Sequence, residues 1–344
     1  MNYLTSNNLE NNNQSLMDQK VISNLSTAQI ILNNIKLEEK IIEVYQNNFI
    51  KEIKRIGKYL KQYPFIGMDT EFPGIVYPCT CLNKDFYYQY IKNNVDQLNL
   101  IQLGITLTNA KGEKPPNSTT WQFNLKFDLE KDPHSSESIK VLNDSGINFK
   151  KLKNEGISHR LFAEYLTVSG MALNENIVWI SFNGLSDFAY LLKLLTWDLL
   201  PNNTNDFLEL LKIYFPNAYD IKYLIKYNEI YKGGLSKIAK ELNIERKGEV
   251  HQAGSDSLVT SEVFFKLIEN NSITKDDINF GKNIIYGIGE GADDSETFLY
   301  TKFAPGIDIS ILLNNINQNV NLRRLNSNNV SRNNNINNNE LEHN

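Results

Sequence analysis

The sequence predicts an α/β fold built on a mixed sheet flanked by helices, and three observations carry that expectation. Apolar spacing switches repeatedly between the periods of helix and strand, strands tend to precede helices, and three strand-like runs follow one another early in the chain. Ile42, Tyr45, Phe49, Ile53, Ile56 and Leu60 recur at intervals of three and four, which predicts an amphipathic helix over 40–62 that Pro64 stops. FIGMD (65–69) is too short an apolar run for a helix and reads as a strand; the β-branched run at 98–108 and WQFNLKF (121–127) extend it to an antiparallel meander. Helix is then expected over 160–170, a buried strand over 177–182 and helix over 187–197. Further helices are expected over 205–214, 235–243 and 256–269, with a strand or extended turn near 218–221. Strands feeding helices in this second half imply parallel crossovers joined to the meander.

Composition narrows the function. The chain has 344 residues, 41% of them apolar, 11% aromatic and 22% charged, the balance of a folded protein with a real core. Thirty-five basic against forty acidic residues leave a net charge of −5, so any polyanion must be held locally or through bound cations. Cys79 and Cys81 are too close for an ordinary disulfide and too few for a thiolate zinc site, and we expect free thiols in a reducing compartment. No window of eighteen apolar residues and no signal-peptide pattern occurs, so neither export nor a membrane partner is expected. Both ends are rich in Asn, and such polar runs bury too little apolar area to offset the entropy of ordering. We therefore expect an Asn-rich flexible extension over 1–38, in which TAQIILNNI has the pattern of a short helix. One domain over 39–291 and an Asn-rich disordered tail over 292–344 complete the expected organisation.

The chemistry-bearing residues are acidic. Asp69 and Glu71, in MDTEFPG (68–74), stand two apart in a predicted strand, so both leave the same face near its C-terminal end, where open α/β sheets bind ligands. Two carboxylates there repel unless a cation lies between them. Asp187 follows the strand IVWISF through Asn183-Gly184-Leu185-Ser186 and opens a helix, which makes it either a dipole-stabilised helix-start acid or a third ligand at the same sheet edge. His251 precedes Asp256 by five residues in HQAGSDS, across a Gly-Ser hinge expected to start a helix; taken singly, they read as a surface histidine and a helix cap. Together the four acids make an oxygen-rich set suited to two hard divalent cations, Mg²⁺ or Mn²⁺, with Zn²⁺ or Co²⁺ as substitutes. Such a pair, about 3.5–4 Å apart, clamps the attacking and leaving oxygens of a phosphodiester and makes water nucleophilic. An imidazole with an ordinary pKa near 6.5 is suited to take that water's proton.

The order D-x-E, then Asp, then H-x(4)-D resembles the histidine branch of the DEDD exonuclease superfamily. The flanking text goes further: FIGMDTEFPGIV (65–76), NLIQLGITL (99–107), STTWQFNLKF (118–127), YDIKYLI (219–225) and GGLSKIAKELNIERKGEVHQAGSDSLVTSEVFFKL (233–267) are similar to the CAF-type deadenylases, catalytic subunits of the Ccr-Not complex. The resemblance spans roughly 40–290. It implies a ribonuclease-H-like fold and 3′-to-5′ removal of adenylates from mRNA poly(A) tails as 5′-AMP. It also implies that Asp69 bridges two ions, Glu71 and Asp256 complete one site, Asp187 supports the other, and His251 is the general base. Partners implied are single-stranded poly(A) RNA, the large Not scaffold subunit, a second deadenylase subunit and antiproliferative adaptor proteins, in cytoplasm and nucleus. The family tends to carry a histidine or another polar pair where this chain has Asn183-Gly184-Leu185-Ser186. CLNKDFYYQY (81–90) reads as a variable loop without a role.

Single-stranded RNA is held by stacking and by scattered basic contacts. Phe72, Phe188 and Leu235 are the candidate stacking surfaces, with Lys232 and Lys237 for phosphates; each also has an ordinary core or solvated reading. No residue pattern selects adenine. The same chemistry serves a DEDD exonuclease acting on another single-stranded nucleic acid, and a non-catalytic adaptor of an mRNA-decay assembly remains the other alternative.

Overall fold

The computed structural model describes residues 40–78, 85–116 and 120–291. Cys79, Cys81, the helix expected in TAQIILNNI and both Asn-rich ends lie outside the described residues. From Ile41 onward the described residues belong to one compact unit.

Among the described residues six strands form a single mixed sheet in the order β1-β4-β3-β2-β5-β6. They are β1 (Ile41–Val44), β2 (Phe65–Glu71), β3 (Gln102–Thr108), β4 (Thr120–Asn124), β5 (Val178–Ser181) and β6 (Ala218–Asp220). The expected meander is the antiparallel run β2-β3-β4, in which Asp69 pairs with Gly104 and Glu71 with Gln102. β5 adds in parallel to β2, β6 in parallel to β5, and β1 in parallel to β4. Side chains of β5 show why both faces must be covered: Trp179 enters one apolar cluster and Ile180, its neighbour, enters another.

Among the described residues eleven α-helices cover the sheet: α1 (Phe49–Tyr59), α2 (Phe86–Val95), α3 (Ser136–Asp144), α4 (Phe149–Glu155), α5 (His159–Val168), α6 (Leu185–Thr196), α7 (Thr204–Tyr214), α8 (Ile221–Leu224), α9 (Leu235–Glu241), α10 (Ala253–Glu269) and α11 (Lys275–Gly281). The expected helix over 40–62 is corrected. Its first residues form β1, the chain turns at 45–48 with Asn48 Oδ1 accepting the Tyr45 N–H at 2.8 Å, and the helix begins at Phe49. Ile42 and Tyr45 fit the helical period by coincidence, because a four-residue edge strand is too short to display its own. The loop expected over 81–90 is corrected too, since α2 begins at Phe86. Its Phe86, Tyr88, Tyr90, Ile91 and Val95 are all buried, and Gln89, Lys92 and Asn93 form its less buried side.

α10 is the helix that approaches the sheet most closely. Small residues on its inner face let it lie against β2 and β3, and the sheet answers with glycine. A Cβ on Gly104 would stand 1.8 Å from the Ala253 carbonyl oxygen, and one on Gly67 2.7 Å from Ser261 Cβ. The start of α10 thus sits over the end of β2 that carries Asp69 and Glu71.

Candidate active site

Asp69 and Glu71 project from the same face of β2, the face that Gly67 turns toward α10, and Glu71 is the last residue of the strand. Thr70, between them, points the other way and donates its hydroxyl to Asp187 Oδ1 at 2.5 Å. Asp187 is the third residue of α6, which starts at Leu185 rather than at the aspartate, after a two-residue turn at Asn183 and Gly184. The carboxylate is 93% buried. It therefore arrives from the opposite side of the strand and meets the first pair at the sheet's edge.

Asp256 comes from the first turn of α10. The expected Gly-Ser hinge at 254–255 is corrected, because both residues are already helical. The Ala253 and Gly254 N–H groups, which a helix start leaves without partners, donate to Gln102 Oε1 (3.3 Å) and Gln122 Oε1 (2.7 Å) from the sheet. Gly254 serves close packing: a Cβ there would stand 2.7 Å from Ile41 Cγ2. The hinge is His251 itself, with φ of +63°, a left-handed conformation that few side-chain-bearing residues adopt. The His251 N–H donates to Asp256 Oδ2 at 2.9 Å, and its carbonyl accepts from Ser145 Oγ at 2.9 Å. Ligand atoms of Glu71, His251 and Asp256 all lie within 4.8 Å of one another.

The electrostatics tie the fourth acid to the other three. Burial holds the Asp69 carboxyl well above the ordinary carboxylate range, and the charges of Asp187, Asp256 and Glu71 push it further, with Arg246 opposing. Glu71 is pushed up to about 8 by burial and then by Asp256 and Asp187. Asp187 is raised to about 7, chiefly by burial, against the Thr70 hydrogen bond, with Asp220 adding to the rise. Four acids thus share one polar cleft with one guanidinium: Arg246 Nη1 lies 2.7 Å from Asp256 Oδ1 and also donates to Ser255. A set of hard oxygen donors this close together, with one guanidinium opposite, fits divalent cations.

The substrate candidates fare differently. Phe72 is half-buried and stacks on Tyr190, with ring centroids 5.2 Å apart at 25°. Phe188 is corrected: it is fully enclosed and packs on Phe215 at 5.3 Å, so neither ring face is open to a base. Leu235 is half-buried on the second apolar cluster, while Lys232 and Lys237 are exposed and paired with Glu229 and Glu241. Thr70, Arg246 and the two glutamines under α10 were missed by sequence reasoning. Thr70 had a usable signal, a hydroxyl between two candidate ligands; the others are distant in the chain from the groups they touch.

Comparison with known proteins shows the family. A family model described as CAF1 family ribonuclease matches residues 44–169 and 165–264. "Probable CCR4-associated factor 1 homolog 7" of Arabidopsis thaliana is 44% identical over 261 residues, covering 73% of this chain and 94% of the relative. "Poly(A) ribonuclease pop2" of Schizosaccharomyces pombe is 42% identical over 249 residues, covering 71% and 74%. Among solved structures, S. pombe Pop2p in a form with Mg²⁺ and Mn²⁺ bound matches with a TM-score of 0.69 at 40% identity, covering 72% of this chain and 99% of that one. A yeast NOT1 MIF4G domain co-crystallized with CAF1 contains a chain that matches with a TM-score of 0.62 at 32% identity, covering 72% and 96%.

Proposed function

This chain belongs to the CAF1 ribonuclease family, and from that premise we propose that it is a 3′-to-5′ exoribonuclease that removes poly(A) from mRNA as a subunit of the Ccr-Not complex. Divalent cations are its cofactors, and we assign Mg²⁺ or Mn²⁺ on the likeness to the Pop2p form that holds both. The observation that carries the reading is the meeting of Asp69, Glu71, Asp187 and Asp256 with His251 at one end of β2.

Asp69, whose carboxylate feels all three other acids, would bridge the two ions; Glu71 and Asp256 would hold one of them and Asp187 the other. Cations held there would supply positive charge against the phosphodiester and would make the attacking water more acidic. His251, exposed and with its ring beside Glu71 and Asp256, takes the proton of the attacking water and passes it to solvent. The water oxygen bonds to phosphorus, the bond from phosphorus to the O3′ of the preceding nucleotide breaks, that oxygen takes a proton from solvent to become a 3′-hydroxyl, and 5′-AMP departs from a chain one residue shorter. Phe72, Leu235, Lys232 and Lys237 border the path of the RNA in this reading. The Not scaffold is a partner, as in the NOT1 complex with CAF1; a second deadenylase subunit and antiproliferative adaptors are further proposed partners.

The test is incubation of purified protein with end-labelled oligo(A), mixed-sequence RNA and single-stranded DNA in Mg²⁺, Mn²⁺ or EDTA. Stepwise shortening of oligo(A) from the 3′ end, dependent on ion and stopped by EDTA, is expected. Equal digestion of all three polymers would make it a general exonuclease, and no digestion with either ion would reduce it to an adaptor.

A further inference from the structure

Asp220 is a second acid close to the site that the reaction does not use. It ends β6, has 0% of its surface exposed, and forms no ion pair among the described residues. Its two oxygens instead accept four backbone N–H groups: Oδ1 from Asn183 (2.8 Å) and Lys222 (3.0 Å), Oδ2 from Gly184 (3.1 Å) and Tyr286 (3.1 Å). Two of those donors belong to the turn between β5 and α6. That turn is under constraint. Asn183 holds φ of +60°, and a Cβ on Gly184 would stand 2.1 Å from Ser181 Oγ. Gly184 is the N-cap of α6 and supplies no side chain to cap it, so the turn's geometry is fixed from β6 rather than from within the helix.

We propose that Asp220 is a positioning residue: by clamping the Asn183 and Gly184 amides it sets where α6 begins and so where the Asp187 carboxylate meets the other three acids. The clamp is matched to an ionised carboxylate, which offers acceptors on both oxygens. An asparagine of the same shape would turn an NH₂ group toward two N–H donors and force the turn to move. Asp187 lies three residues past that turn in a rigid helix, and displacements of about 1 Å at a reacting centre cost orders of magnitude in rate. The inference rests on Asp187 serving an ion site, as proposed above.

The experiment uses Asp220→Asn, Asn183→Val and Asp187→Asn in the full chain. Asn183 is exposed, so its variant tests the turn without touching the core, because a β-branched side chain resists the left-handed conformation. Mn²⁺ binding is counted by electron paramagnetic resonance of the free ion, kcat and KM are measured on oligo(A), and cooperative unfolding is followed by circular dichroism. All three variants are expected to lose the weaker Mn²⁺ site by tenfold or more and to lose kcat by at least as much. KM should stay within about twofold, and part of the kcat loss in the two turn variants should return at saturating Mn²⁺. An Asp187→Asn that is inactive beside turn variants that bind two ions and turn over like the parent overturns the positioning role alone. The positioning role also falls if Asp220→Asn merely unfolds while Asn183→Val keeps both ions. An Asp187→Asn with full ion binding and activity overturns the ion-site reading and the positioning role with it.

Discussion

The two helices that carry acids to β2 hold them in opposite ways. α6 delivers Asp187 from the Asn183-Gly184 turn, with a Thr70 hydroxyl against the carboxylate and Asp220 adding like charge. α10 delivers Asp256 beside the Arg246 guanidinium, next to an exposed histidine on a left-handed hinge. One arm is fixed by hydrogen bonds and gains its counter-charge only when a cation binds; the other carries a counter-charge of its own. The difference teaches that an ion site can be held open without collapsing by repulsion when its acids are restrained independently.

The largest expected effect removes what both arms converge on. Asp69→Ala should abolish oligo(A) hydrolysis while the ion-free protein melts no lower than the parent, because the lost carboxyl is held well above its ordinary range by burial and by its acidic neighbours. Activity surviving in that variant would break the bridging role and with it the premise that the two arms serve one centre. Next, His251→Ala should slow hydrolysis by about 10²–10⁴-fold with Mn²⁺ binding little altered. A pH–rate profile that keeps its acidic limb in this variant would remove the imidazole as proton acceptor.

A pH effect reports on the strand and the α6 arm in the ion-free state. Glu71 and Asp187, raised to about 8 and about 7 from ordinary values of 4.5 and 3.8, hold protons in the fold that the unfolded chain has already released. Unfolding then sheds protons, so the stability these two groups contribute is fully present below the ordinary carboxylate values. That contribution should fall as pH rises through 7 and be gone by about 8. Divalent ions should reverse that slope, and thermal melts from pH 5 to 9, with and without Mn²⁺, read it directly. A flat profile without ions would mean that neither burial nor mutual repulsion raises these acids. The smallest effects sharpen the contrast: Arg246→Ala should cost about 2 kcal/mol of ion-free stability, a penalty that shrinks once cations are bound. Thr70→Val should cost about 1 kcal/mol whether or not ions are present. Equal responses of the two variants to Mn²⁺ would erase the distinction.

The acids were legible in the sequence because their local geometry is encoded locally. A D-x-E at the end of an apolar run has a period of two that fixes a shared face, and Asp187 and Asp256 sit where helices start. Their flanking words also carry the family resemblance. β1 was illegible for a different reason: an edge strand of four residues is too short to display its own period. Phe188 was misjudged because adjacency to Asp187 in the chain says nothing about which way a helical side chain points.

By itself the sequence determined the α/β class, the meander, the acids and the histidine, since alternation, helix starts and motif spacing are properties of neighbouring residues. Only the tertiary structure decided that Thr70 would meet Asp187, that Gln102 and Gln122 would cap α10, that Arg246 would face Asp256 and that Asp220 would close on Asn183 and Gly184. Each of those contacts joins positions from different elements, and the pairing of strands and the close approach allowed by Gly67 and Gly104 are what bring them within hydrogen-bond reach.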